Sequence, residues 1–188
     1  FAVGMNGAVS YSTNVISWSD VYSQDHRVWL YDVIFANSRY VAVGVGGMIV
    51  SSTNLRDWQQ AITNTKSWLT SISYGNGVFI SSGAGGTLLK SHDGLVWQSE
   101  SSPTQEWLST VRFVNNKFIA VGSSGEILNS DAGESWQALS SPTKNWLYGV
   151  SYGAGRYTVV GDNSTVLSSV DGRNWFTVKH KLPKHITF

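Results

Sequence analysis

The spacing of tryptophan constrains this chain more than any other feature. Five tryptophans, Trp18, Trp58, Trp97, Trp136 and Trp175, stand 40, 39, 39 and 39 residues apart; the other four, Trp29, Trp68, Trp107 and Trp146, stand 39 apart, each followed by Leu. Set beneath one another, the units read WLYDVIFANSRYVAVGVGGMIVSSTNLRDW, WLTSISYGNGVFISSGAGGTLLKSHDGLVW, WLSTVRFVNNKFIAVGSSGEILNSDAGESW and WLYGVSYGAGRYTVVGDNSTVLSSVDGRNW. The opening FAVGMNGAVSYSTNVISW matches the second part of one more unit. A period near 39 residues belongs to stacked repeats such as propeller blades or helical HEAT units.

Local pattern decides between these. Each unit carries short apolar runs, such as Val33 to Phe35, Val41 to Val43 and Met48 to Val50, separated by Gly, Asn, Asp and Ser. The runs are too short for helices, and Val, Ile, Phe, Tyr and Trp suit pleated, packed surfaces. Asn76-Gly77 and Asn115-Asn116 lie between two runs, where a tight hairpin needs residues tolerant of positive φ. Strands are expected at 29–35, 39–44, 47–51 and 57–60 of the first full unit, with little or no helix. Four-stranded antiparallel meanders that are apolar on both faces bury those faces by packing radially around an axis, which also protects their edges. The expected fold class is therefore all-β: a five-bladed β-propeller of four-stranded antiparallel blades.

The chain ends complete the ring in this reading. The N-terminus supplies the second, third and fourth strands of a blade and lacks the first. The segment LPKHITF can supply it, since Ile186-x-Phe188 matches Val33-x-Phe35. The expected blades are 183–188 with 1–21, then 28–60, 67–99, 106–138 and 145–178, closed by pairing of the terminal strands. A chain that opens on Phe1 is expected to be a processed protein or an excised domain.

A polar turn precedes each tryptophan of the five-membered series: STNVISW at 12–18, STNLRDW at 52–58, SHDGLVW at 91–97, SDAGESW at 130–136 and SVDGRNW at 169–175. Asp or Asn accepts main-chain N–H groups in such a turn, Gly relieves the φ restriction, and the following Trp covers an adjacent strand. These turns resemble the Asp-box, or BNR, repeat, whose usual pattern is Ser-x-Asp-x-Gly-x-x-Trp. The matching positions are Asn14 and Trp18, Asn54 and Trp58, Asp93, Gly94 and Trp97, Asp131, Gly133 and Trp136, and Asp171, Gly172 and Trp175. Most of them use a spacing contracted by one residue. The units are similar to those of photosystem II assembly-factor-like and sialidase-like propellers, a resemblance that implies a structural role for these turns. Sialidases add an arginine triad and a Tyr/Glu nucleophile pair. Of the six arginines here only Arg112 lies inside an expected innermost strand, so sialidase activity is not implied.

Composition narrows the functional classes. Lys and Arg total 13 against 12 Asp and Glu, a net charge of +1, which provides no footprint for nonspecific nucleic-acid or anionic-membrane binding. Charged residues make up only 13% of the chain, so polar uncharged side chains carry its solvation. Zero cysteines exclude thiolate chemistry and Cys-based metal sites. A secreted or periplasmic location is the expectation, in which case Asn163-Ser164-Thr165 is a formal glycosylation sequon. The four histidines, His26, His92, His180 and His185, form no HExxH or His-x-His cluster, so no metal and no cofactor is expected. Gly44, Gly46 and Gly47, like Gly83, Gly85 and Gly86, join two strands rather than opening a helix, which speaks against phosphate binding.

Two possibilities for chemistry remain open at this level. Asp25, Asp32, Glu106 and Asp162 would form an acid–base pair for a glycoside hydrolase-like enzyme if two of them flanked a cleft. No GxSxG nucleophile context exists, and no catalytic residue is assigned. The favoured expectation is a non-catalytic binding or structural propeller, with carbohydrate binding as one form and a protein–protein interaction scaffold as another. The candidate binding residues are Trp29, Trp68, Trp107 and Trp146, which begin the innermost strands, with Asn6, Asp25, Asp162 and Asn163 from the loops of the same face. The ligand would be a glycan or a protein. The same tryptophans would equally serve to seal contacts between blades.

Overall fold

Pairs of residues in left-handed backbone punctuate the chain and set its strands. At the hairpins, Asn37 and Ser38, Asn76 and Gly77, Asn115 and Asn116, and Ala154 and Gly155 all have positive φ, the geometry of the two-residue turn whose twist matches paired strands. In the computed structural model, which describes residues 1–22 and 28–179, no α-helix occurs among those residues. Strands β1 (Ala2–Val3), β2 (Val9–Tyr11) and β3 (Ser19–Tyr22) form a first, three-stranded sheet. Four four-stranded sheets follow: β4 (Leu30–Ala36) to β7 (Gln59–Gln60), β8 (Leu69–Gly75) to β11 (Gln98–Ser99), β12 (Leu108–Val114) to β15 (Gln137–Ala138), and β16 (Leu147–Gly153) to β19 (Phe176–Thr177).

Within each full sheet the strands pair antiparallel in chain order, so each is a meander. The longest strand of each, β4, β8, β12 and β16, lies beside its counterparts in the neighbouring sheets, which places these four innermost. Cross-links confirm their order. Thr70 Oγ1 donates to the Leu108 carbonyl at 2.6 Å, and the Phe113 N–H donates to Ser73 Oγ at 2.8 Å.

The apolar cores lie between sheets rather than within them. Val41, Val43 and Ile49 of the second sheet pack with Leu69, Ile72, Phe79, Leu89 and Trp97 of the third. Val78, Ile80 and Leu88 meet Val111, Phe118, Leu128 and Trp136, and Ile119, Val121 and Ile127 meet Tyr157, Val159, Leu167 and Trp175. A smaller cluster, Val9 with Leu30, Ala42 and Val50, joins the first sheet to the second and takes in half-buried Trp58. The tryptophan before the fourth strand of one blade thus covers the blade before it. Trp97, Trp136 and Trp175 are 3%, 6% and 6% exposed, whereas Trp18 is 45% exposed because no described residue of a preceding blade lies over it. At the other end Val160, whose repeat counterpart Val121 is fully buried, is 37% exposed. The expected closure falls on residues 183–188, which lie outside the described residues.

The polar turns between the third and fourth strands follow the expected chemistry in four of five cases. The Asp171 carboxylate accepts the N–H groups of Arg173 and Asn174, both at 2.8 Å, and the Ser169 hydroxyl at 2.9 Å. Asp93 does the same with Leu95, Val96 and Ser91, and the Asn14 and Asn54 amide oxygens accept two N–H groups each at 2.9 Å. The fourth turn is built differently. There the Ser130 hydroxyl donates to the Glu134 carbonyl, and Asp131 offers its main-chain carbonyl to the Asn76 side chain of the neighbouring blade. Asp131 stands five residues before its tryptophan, one earlier than Asp93 and Asp171, and Ala132 takes their place, which moves the carboxylate out of reach of the turn's N–H groups.

Candidate binding face

One end of the propeller is made by the turns between second and third strands and by the connections that lead into each innermost strand. The turn Val45-Gly46-Gly47-Met48 is closed by the Met48 N–H on the Val45 carbonyl at 3.1 Å, with φ of 65° and 75° at its two glycines. Asn6, Gly85, Ser124 and Asn163 occupy the position of Gly46, and all have positive φ. The two central positions differ in their surroundings. A Cβ at Gly46 would meet nothing within 4 Å, whereas one at Gly47 would lie 2.1 Å from the Thr65 carbonyl oxygen. The incoming connection is thus pressed against the second position and leaves the first open. Thr63 Oγ1 donates to the Gly47 carbonyl at 2.9 Å, and the Gly47 N–H donates to the Ser67 carbonyl at 2.7 Å.

The same clamp fixes the tryptophans. The carbonyls of Trp29, Trp68, Trp107 and Trp146 accept the N–H groups of Val45, Ala84, Ser123 and Asp162 at 2.8–2.9 Å. With the main chain held, the indoles project from the face. Trp29, Trp68 and Trp146 are 45%, 46% and 37% exposed and Trp107 is half-buried, in contrast to the buried Trp97, Trp136 and Trp175 of the outer strands. The inner rings also touch from one blade to the next, so partial exposure and contact between blades coexist in them.

The exposed rings form a continuous arc. Centroids are 6.1 Å apart for Tyr31 and Trp68, 5.8 Å for Trp68 and Trp107, 6.4 Å for Trp107 and Trp146, and 6.1 Å for Trp146 and Tyr148. The middle pairs meet at steep angles, 79° and 58°, while Trp146 and Tyr148 are nearly parallel at 18°. Sequence reasoning missed Tyr31 and Tyr148. Both sit where the register slips by one residue between Leu30 and Asp32 and between Leu147 and Gly149. Such a bulge re-aims a side chain, and here it turns each Tyr out beside the tryptophans. The WLY triplet, present in the first and fourth units alone, is the signal in the sequence.

The polar candidates are engaged locally. Asp162 accepts the Tyr148 hydroxyl at 3.0 Å; partial desolvation first, then this carboxylate, pushes the Tyr148 phenol above its usual pKa. The Asn163 amide donates to Asn145 at 3.2 Å, and Asn145 donates to Thr165 Oγ1 at 2.8 Å, beside a polar depression of about 450 Å³. Glu106 accepts the Ser123 hydroxyl at 2.6 Å. The Ser123 and Ser124 hydroxyls, and to a smaller degree the Lys144 ammonium, hold its carboxyl below the usual range. Asn6 is exposed at its turn, and Asp25 lies outside the described residues.

Asp32 is placed elsewhere, among the innermost strands. Arg112 Nη1 donates to Asp32 Oδ2 at 3.1 Å and to Ser71 Oγ at 2.7 Å, and Ser71 Oγ also donates to Asp32 at 3.0 Å. Three neighbouring blades are thereby tied at the axis. Asp32, Glu106 and Asp162 each serve a separate partner set, and none pairs with another as an acid–base couple would.

Fold comparison decides the architecture. Chains of YCF48 from Cyanidioschyzon merolae and of the WD40 β-propeller domain of Doa1 superpose with TM-scores of 0.63 and 0.73. The fold is a β-propeller. Identity is 19% over 81% of this chain and 57% of the YCF48 chain, and 15% over 92% of this chain and 62% of the Doa1 chain. A second YCF48 structure, bound to D1 peptide, gives a TM-score of 0.61 at 17% identity, over 79% of this chain and 54% of that one. The propeller therefore spans less than two thirds of the length of each solved chain. No family model and no curated protein matches its sequence.

Proposed function

We propose that this propeller is a non-catalytic protein-interaction module whose binding surface is the aromatic arc from Tyr31 to Tyr148. The observation that carries the reading is the contrast between the two tryptophan series. Trp97, Trp136 and Trp175 of the outer series are spent on cores between blades, while the inner series is held at the face by its main chain with its rings partly in solvent. Aromatic rings displayed on a rigid frame supply large contact area at small conformational cost, the usual composition of interface anchors. The steep angles between Trp68, Trp107 and Trp146 favour a protein surface over a chain of sugars, which would need a flat ring for each residue. One similar propeller, YCF48, has been solved with a peptide. The polar turns on the outer strands are assigned a structural, Asp-box-like role.

A second reading has its own observation. Trp146 and Tyr148 lie nearly parallel beside Asp162, Asn145 and Asn163, an arrangement suited to stacking on one sugar and bonding its hydroxyls. A displayed library of random peptides and a glycan array, both probed with folded protein, separate the two. The expected result is peptide binding that is lost in a Trp68→Ala/Trp107→Ala variant whose circular dichroism stays native. Glycan binding that survives this variant and disappears in Trp146→Ala would reverse the assignment, and hydrolysis of a bound glycan would end the non-catalytic reading.

A further inference from the structure

The arc leaves out one tryptophan of the inner series. Trp68, Trp107 and Trp146 touch in succession, but Trp29 makes no ring contact among the described residues, and between it and Trp68 opens a cleft of about 420 Å³ walled by the two indoles with Val45 and Gly46 between them. Its wall is almost wholly apolar. At the next junction along the ring the equivalent space is closed by contact of Trp68 with Trp107 at 5.8 Å. The turn residues contribute as well: Gly46 adds no side chain to the opening, whereas Asn6, Ser124 and Asn163 stand at the same position elsewhere.

A cation on the connection into Trp68 gives the cleft a direction of preference. Lys66 precedes Trp68 by two residues, between Thr65 and Ser67, which both touch the turn at Gly47. It is exposed and forms no ion pair among the described residues. Lys144 holds the same position before Trp146 but faces Glu106. An exposed lysine on the connection that leads into an indole-walled cleft, with no ion pair among the described residues, matches an apolar side chain flanked by a carboxylate, since opposite charge steers encounter while the apolar centre holds the complex.

We propose that the cleft between Trp29 and Trp68 takes one large apolar side chain from an acidic protein segment, with Lys66 facing the acidic neighbour. This rests on the reading of the aromatic arc as a protein-binding surface. Burying an apolar anchor changes affinity by about 10- to 100-fold. Gly46→Asn tests this without disturbing the fold, because Asn6 and Asn163 adopt the same left-handed turn position. Gly85→Asn places the same residue in the neighbouring turn, where no cleft exists, and is the control.

The probe is a displayed library of random linear peptides, with the strongest binders remade and titrated against each variant. Enrichment of Phe, Tyr, Trp or Leu close to Asp or Glu is expected, with binding weakened about tenfold or more by Gly46→Asn and within about twofold of wild type in Gly85→Asn. Lys66→Glu should weaken binding several-fold and remove part of its salt dependence. Peptides that lose affinity in Trp68→Ala/Trp107→Ala but not in Gly46→Asn would overturn the cleft and leave the arc standing. Enriched peptides that are basic, or an unchanged affinity in Lys66→Glu, would overturn the acidic partner. Peptides indifferent to every one of these substitutions, or no enrichment at all, would overturn both the cleft and the arc.

Discussion

Trp136 and Trp18 hold the same repeat position in different surroundings, so their truncation to Ala measures what a neighbouring blade contributes. Both indoles donate to the carbonyl three residues earlier, Trp136 to Gly133 at 3.2 Å and Trp18 to Val15 at 3.3 Å. That hydrogen bond cancels in the comparison. What differs is burial: Trp136 is 6% exposed against Val78, Ile80, Phe118 and Leu128, and Trp18 is 45% exposed. A tryptophan buries about 200 Å² at about 25 cal/mol per Å², a ceiling of about 5 kcal/mol. Trp136→Ala should therefore cost about 3–5 kcal/mol with its cavity. Trp18→Ala, with roughly half the buried area, should cost about 2 kcal/mol. Urea unfolding followed by far-ultraviolet circular dichroism is the suitable assay, because tryptophan emission would change with the substitution itself. Equal costs would refute the reasoning, since they would mean that the outer face of the first blade is covered in solution.

Asp171→Asn should flatten the loss of stability in acid: the turn's N–H groups and the Ser169 hydroxyl hold the Asp171 carboxyl well below the usual range. Its contribution is therefore complete above the unfolded value of about 3.9 and is lost as pH falls through the folded one. The amide keeps the turn, as Asn14 and Asn54 do, so melting temperature against pH should be shallower below about pH 4 than in wild type. Val15→Gly should stabilise the protein by about 1 kcal/mol, because a β-branched, largely exposed residue sits there at φ 55°; an unchanged or lowered melting temperature would count against this. Gly46→Ala should cost about 1 kcal/mol for its positive φ alone, and Gly47→Ala at least about 3 kcal/mol, since its Cβ would strike the Thr65 carbonyl; similar urea midpoints for the two would contradict the clamp.

Much of the architecture was legible because the repeat is written in the residues that make it. The period located the units, and Asn76-Gly77 and Asn115-Asn116 located hairpins whose positive φ the structure bears out. Which tryptophan series is exposed could not be read from spacing, since both recur with nearly the same period. Exposure is set by where the rings fall relative to the next blade, a relation between residues distant in sequence. The Asp32–Arg112 contact has the same origin: the two lie 80 residues apart and meet because three blades converge at the axis. The bulge that turns out Tyr31 and Tyr148 depends on strand register, which a single strand's sequence does not specify. Asp131 departs for a more local reason, since it stands one position earlier in its turn than Asp93 and Asp171 do in theirs.

Because each apolar cluster belongs to a junction, no blade is self-sufficient, and stability accumulates by neighbour pairs rather than by units. The third blade has a partner on either side, and every residue of Val78–Gly83 is buried; the fifth, covered on one side among the described residues, leaves alternate residues of Arg156–Gly161 partly open to solvent. Amide protons should exchange slowest in the third and fourth blades and progressively faster toward both ends. The junctions flanked by blades on both sides would then be the last to yield.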